Sequence, residues 1–306
     1  MMDRDGARAL LKVPLAELAA LADGIRRERA GGKIELCSIL NAKSGLCAED
    51  CRFCAQSCHH ETGINTYPLK TADEILEAAI RAKEIGAERF DIVTSGNALS
   101  GDELKRVADT ISLIKNRVRI KICASLGRLS EKDLILLKSA GLGRYHHNIE
   151  TSPGYFSSIT TTHTFKDRID TIKAAKAAGL EVCSGGIIGL GESWDDRIDM
   201  ALTLKELDVT SVPINILVPI KGTTFEDKDV LPAMDAIRAI ALFRIILQDK
   251  IIKVAAGRES VLKDFQAMAF MAGANGMLIG GYLTIKGRSV DEDKIFVKEI
   301  EKAWKA

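Results

Sequence analysis

Short apolar runs recur along the chain, and between them lie longer stretches in which apolar positions return every three or four residues. The first pattern suits buried strands and the second suits helices packed by one face. Strands are predicted over 33–40, 88–96, 117–127, 144–150, 180–189, 209–219, 250–257 and 275–281, and helices over 71–87, 101–116, 130–141, 162–179, 193–207, 232–247 and 260–272. Boundary residues agree: acids open 71–87, and 130–141 runs from an N-capping Ser130 to a closing Gly141. Repeated strand–helix units imply parallel strands joined by right-handed crossovers, hence a (β/α)8 TIM-type barrel. A doubly wound open sheet is the competing architecture. An amphipathic helix is expected in 1–32, the barrel over 33–284, and a charged tail over 285–306 that ends in a helix, 296–304.

Composition narrows the function more than the fold. With 306 residues, 46% of them hydrophobic, the chain can fill one large core. Lys and Arg (43) balance Asp and Glu (42), so nothing favours nucleic acid or an anionic membrane, and a small-molecule substrate is expected. No apolar run approaches the roughly 18 residues of a membrane span. The leading segment carries early acids and no signal-peptide pattern, so a cytoplasmic protein is expected. In that reducing setting seven cysteines, an odd number, point to metal binding or catalysis rather than disulfides.

The barrel reading says where to look, because reactive groups gather at the C-terminal ends of the strands and in the loops that follow. The first such loop, from about Asn41 to Lys70, is the longest, and it holds Cys47, Cys51, Cys54 and Cys58. The first three are spaced C-x3-C-x2-C, with Phe53 just before the last. Three thiolates on one tight loop can bind three irons of a 4Fe-4S cubane and leave the fourth open. Ferredoxin clusters use four cysteines, and zinc sites usually pair Cys with Cys or His. A zinc knuckle is the structural alternative. Cys58 reads as a free thiol beside the site, and His59 and His60 as loop residues shaping its surround. The spacing, its aromatic and its place after the first strand together resemble the radical S-adenosylmethionine (SAM) enzymes.

Further segments narrow the resemblance. KSGLCAEDCRFCAQS is similar to the cluster loop of the biotin synthase family, and YHHNIETSPGYFSSITTTHTFKDR, VCSGGIIGLGE, VPINILVPIKGT, AAGRE and FQAMAFMAGAN resemble later family segments in order, from Lys33 to Thr284. The resemblance implies a 4Fe-4S cluster on Cys47, Cys51 and Cys54, SAM on its open iron, and sulfur insertion into dethiobiotin from an auxiliary iron–sulfur cluster. It implies that Asn148 and Glu150 hold the SAM ribose, with Glu150 standing where the best-known members have Asp. Arg168 is expected near the SAM carboxylate, and Ile187 and Val218 at the adenine. Asn215, with Asn148, is expected at the ureido ring of the substrate. A reductant such as flavodoxin or ferredoxin, and a homodimer, are implied by the same resemblance.

At the auxiliary cluster the sequence departs from the family. The better-known members hold a 2Fe-2S centre with three cysteines and an arginine; here the matching positions read Asp91, Cys123, Cys183 and Lys253. Lys is a point charge rather than a planar fork, so it is expected to balance charge and not to ligate. Cys37, on the first strand, is expected to join Cys123 and Cys183 inside the barrel, since alternate strands fill one interior layer. Three such thiols suit a re-ligated auxiliary cluster of 2Fe-2S size or larger. Their alternative is buried, inert Cys, and Asp91 is either an oxygen ligand or a polar wall. Relatives without sulfur insertion, of hydrogenase-maturase or methylornithine-synthase type, would keep the loop triad without needing Cys123, Cys183 and Asn215 together. A non-catalytic metal-binding protein is the alternative from another class.

Overall fold

The computed structural model describes residues 2–281 and 288–305. Its strands are β1 (Glu35–Lys43), β2 (Arg89–Thr94), β3 (Lys121–Ser125), β4 (Arg144–His146), β5 (Glu181–Cys183), β6 (Gly186–Ile188), β7 (Ser211–Ile216), β8 (Ile251–Val254) and β9 (Gly276–Leu278). All pair in parallel in the order β5-β4-β3-β2-β1-β9-β8-β7-β6, and β5 also pairs with β7, so the sheet closes on itself. The expected barrel is present and the open sheet is not.

One predicted strand, 180–189, is two. It breaks at Ser184–Gly185, and β5 and β6 form the two halves of one stave. The break brings backbones together more closely than side chains allow. A Cβ on Gly185 would lie 1.9 Å from the Pro213 carbonyl oxygen, and one on Gly186 would lie 2.3 Å from that of Glu150. The fourth stave also falls short of its prediction: regular pairing stops at His146, and the chain then rises to the mouth through a single bridge between Glu150 and Gly186.

The helices are α1 (Arg4–Leu10), α2 (Leu15–Arg29), α3 (Ala72–Glu84), α4 (Gly101–Arg117), α5 (Glu131–Ala140), α6 (Phe165–Ala177), α7 (Trp194–Glu206), α8 (Ala233–Leu247), α9 (Gln266–Met271) and α10 (Val290–Ala303). Each of α3 to α7 starts with a reciprocal capping box, from Thr71–Glu74 through Ser193–Asp196. A hydroxyl accepts from the third backbone N–H while the acid accepts from the cap, which stabilises a helix start by about 1 kcal/mol. These caps fix where the mouth loops end.

Three expectations need correction. The single leading helix is two, because Pro14 caps α2 and holds the residue before it away from helical geometry. The helix predicted over 260–272 is regular only in α9; before it lie a π turn at Arg258–Leu262 and a 3-10 turn at Lys263–Phe265, with Lys263 in the left-handed region at φ 47°. The last helix begins at Val290, capped by Ser289, well before 296. The expected boundary between 284 and 285 lies outside the described residues.

The leading helices cover the barrel's most apolar helix. α8 is buried almost all round, and α2 packs along it with Leu18 and Ala22 fully enclosed. Burying a Leu side chain contributes about 1.5–3 kcal/mol. Arg238 donates to the Val13 carbonyl at 2.8 Å, and the fully buried Arg26 lies 3.7 Å over the Trp304 ring that follows α10. Among the described residues no helix is long and apolar enough to cross a membrane.

Candidate active site

The loop after β1 has little regular structure, yet it is tightly held. Cys47 donates its N–H to the Gln56 carbonyl at 3.0 Å and accepts from Cys58 at 2.8 Å, while Cys54 donates back to Cys51 at 2.9 Å. Asp50 accepts from the hydroxyls of Thr160, Thr161 and Thr162 and from the N–H groups of the last two. That binds the loop to the segment beyond β4. His60 spans the Cys54 carbonyl (2.9 Å) and the Thr224 hydroxyl (3.2 Å), and His59 meets the Ala48 carbonyl at 3.1 Å. These contacts set Cys47, Cys51 and Cys54 into the wall of one cavity of about 400 Å3, while Cys58 lies outside the wall and exposed.

The same cavity continues down the barrel to Cys37, Asp91, Cys183 and Lys253. Its walls also carry Ile39, Val93, Pro213, Ala255 and Leu278, with Leu278 level with Cys37 and Pro213 level with Lys253. Cys123 is buried at the floor just off the cavity, its Sγ 4.0 Å from an Arg89 nitrogen. The strands carry these groups in register, Asp91 opposite Cys123 and His146 opposite Cys183.

A charged network that the sequence reading missed closes the floor. Glu35 accepts from Arg89 at 2.8 Å and Arg144 at 2.9 Å, and Lys253 stands 3.5 Å away; Glu181 accepts from the same two arginines at 3.0 and 2.9 Å. Burial alone would raise the Glu35 carboxyl, but Lys253, Arg144 and Arg89 outweigh it and hold it at about 2. Burial also works against the Lys253 ammonium, yet Cys37, Cys183 and Glu35 keep it above its ordinary value. The floor thus sets three cations against two carboxylates below the inner thiols. A period-two signal was available in the sequence. Glu35 precedes Cys37 by two, Arg89 Asp91, Arg144 His146, and Glu181 Cys183, so each pair shares one face of its strand.

Higher up, polar side chains form a file. His146 places Nδ1 at 2.9 Å from Asp91 and Nε2 at 3.1 Å from the Asn148 carbonyl oxygen. That oxygen also accepts from the Gly185 N–H at 3.1 Å, and the Asn148 amide nitrogen donates to Glu150 at 3.3 Å. Burial disfavours charge on His146, but Cys183 and Asp91 outweigh it and raise the imidazole to about 9. Glu150 takes a left-handed φ of 66°, an unfavourable conformation for a residue with a side chain, and its carboxylate stands 3.9 Å from Arg168. Burial pushes its pKa upward. Asn215 donates to the Gly186 carbonyl at 3.2 Å and accepts from the Ala256 N–H at 3.1 Å. Ile187 and Val218 stand outside the cavity wall; Ile187 packs instead against the cluster of Phe156, Ile159, Leu190, Leu217 and Phe225.

Comparison with known proteins matches residues 43–204 to the radical SAM superfamily and residues 213–301 to the biotin and thiamin synthesis associated domain. The biotin synthase of Thermotoga neapolitana is 55% identical over 88% of this chain and 96% of its own length. The chain belongs to the biotin synthase family. A second family member, from Pelotomaculum thermopropionicum, is 47% identical over 94% of this chain and 89% of its own. Among solved structures, methylornithine synthase superposes with a TM-score of 0.84 at 19% identity, covering 98% of this chain and 93% of that one. That similarity speaks to the shared barrel.

The donor set was tested against the clusters that the biotin synthase family implies. Burial pushes the thiols of Cys51 and Cys37 up to about 12, and that of Cys54 to about 11. Such thiols stay protonated unless a cationic group draws them into thiolate form, which bound metal does. Among the described residues no three acidic, His or Cys side chains gather as a single metal ion would require. One further donor fits as well: Oδ1 of Asp91 is buried without a hydrogen-bond partner beside the inner thiols. The residues present fit both clusters.

Proposed function

We propose that this chain converts dethiobiotin to biotin by radical sulfur insertion. The observation that carries this reading is the single cavity with a thiol triad at its mouth and Cys37 and Cys183 toward its floor, in a chain that belongs to this family. Cys47, Cys51 and Cys54 would hold a 4Fe-4S cluster whose open iron takes SAM. Cys37, Cys123 and Cys183 would hold the auxiliary cluster, with Asp91 as a candidate oxygen donor and Lys253 as its countercharge. When bound, these groups supply the reducing electron, the radical that takes hydrogen from the substrate, and the sulfur.

The chain's own residues bind, orient and shield. The Asn148 oxygen already accepts two hydrogen bonds and its nitrogen gives one, so it offers a ligand only one N–H. Asn215 gives one and accepts one, which leaves it one N–H and one lone pair. A cyclic urea presents both C=O and N–H edges, and this pair matches them. Glu150 suits ribose hydroxyls, and Arg168, beside it, offers a carboxylate a fork of donors. Ile187 and Val218 carry the adenine role by resemblance alone, since neither lines the cavity. The apolar wall residues Ile39, Val93, Pro213, Ala255 and Leu278 limit water in a reaction in which stray hydrogen donors would be harmful. The same reading carries a flavodoxin- or ferredoxin-type electron donor, a homodimer and a cytosolic setting.

Anaerobic turnover with SAM, a reductant and dethiobiotin, followed by mass spectrometry, tests it. Biotin and 5′-deoxyadenosine are expected together; deoxyadenosine without a thiolated product overturns the assignment. Iron and sulfide analysis tests the inner thiols separately, and a total of only about four irons per chain would remove the auxiliary cluster.

A further inference from the structure

Glu49, His163 and Arg168 form a second file along the cavity wall, to which neither the cysteine motif nor the family resemblance gives His163 and Glu49 a part. Glu49 Oε2 lies 2.5 Å from His163 Nδ1, and Arg168 Nη2 and Nε lie 2.9 and 3.2 Å from His163 Nε2. A guanidinium has no lone pair to offer, so Nε2 is the acceptor and the ring proton sits on Nδ1, where the carboxylate takes it. The imidazole is therefore neutral and held in one tautomer. It is buried, edge-on to the Phe156 ring at 5.5 Å. Glu49 Oε2 also accepts from the Thr162 hydroxyl. In the chain Glu49 lies midway between Cys47 and Cys51.

We propose that His163 is a positioning residue that ties Arg168 to the thiol loop, so that Arg168 presents its remaining donors to the SAM carboxylate in a fixed orientation. Arg168 Nη1, not used by His163, is the nitrogen nearest Glu150, at 3.9 Å. Ordering a long cationic side chain before the ligand arrives removes that entropy cost from binding. Because Glu49 lies between Cys47 and Cys51, the file also ties Arg168 to the loop whose thiols would hold the cluster. The proposal rests on the assignment of Arg168 to that carboxylate.

The test is equilibrium dialysis of SAM against the anaerobically reconstituted full chain, with iron content measured in parallel. Asn in place of His163 can still donate to Glu49 but no longer reaches Arg168, whereas Gln can still accept from Arg168. His163→Asn is expected to weaken SAM binding roughly tenfold and His163→Gln about threefold or less, with iron content unchanged. KM for SAM should rise in His163→Asn while kcat holds. Equal losses in both variants, or parental binding by His163→Asn, overturn the proposal. Arg168→Met separates the two layers: parental affinity there removes the Arg168 assignment and the proposal with it. If His163→Asn fails to load iron, His163→Gln decides alone, and a roughly tenfold loss in it counts against the file.

Discussion

The two ends of the cavity solve one chemical problem in opposite ways. At the mouth, three thiols ride on a loop whose shape comes from local hydrogen bonds and from Asp50 clamped by Thr160, Thr161 and Thr162. At the floor, three thiols ride on β1, β3 and β5, where barrel register places them and a buried ion network surrounds them. Three loop thiols would leave one iron of a 4Fe-4S cluster free for a ligand that comes and goes. The strand thiols are instead placed by sheet register, with Cys123 opposite Asp91 and Cys183 opposite His146. The difference teaches that one end takes its shape from local hydrogen bonds and the other from the register of the barrel.

Four substitutions would break or sharpen that contrast. Cys51→Ala should abolish SAM cleavage and remove about four irons per chain while leaving the inner iron in place. Loss of all iron would show that the two ends are not independent. Arg144→Met, at the floor, leaves Glu35 and Glu181 short of a buried cation. It should lower the free energy of unfolding by roughly 3–5 kcal/mol, read by urea denaturation of the chain before cluster loading. A loss below about 1 kcal/mol would mean that the floor is held by packing and not by its ions. Asn215→Ala should raise KM for dethiobiotin about tenfold and leave both iron content and SAM affinity unchanged. Thr71→Ala removes the cap where the mouth loop passes into α3. It should cost about 1 kcal/mol of stability with no change in SAM affinity, and a fall in SAM affinity would show that the loop takes its shape from the helix behind it.

The mouth was legible in the sequence and the floor largely was not, for a physical reason. Cys47, Cys51 and Cys54 act together because they are neighbours in the chain, so spacing alone exposes them. Arg89, Arg144 and Glu181 act together because strands far apart in sequence lie close in the sheet; the period-two spacing records the face each shares on its own strand but not their meeting across strands. The barrel was readable from alternation, and the helix starts from Ser or Thr followed by an acid three residues on. The break in the fifth stave was not readable, since Ser184–Gly185 follows an apolar run like any other strand and the close approach of the Pro213 backbone to Gly185 is made by a residue far along the chain. Residues 260–272 failed for the opposite reason: their pattern is helical, but the turn at Arg258–Leu262 is spent enclosing Arg258 against Gln266 and Asp293.

The continuity of the cavity makes the barrel a measuring rod. Its two ends are held apart by hydrogen-bonded strands that advance about 3.3 Å per residue and cannot stretch. A substrate that must react first near one end and then near the other is selected by its own length.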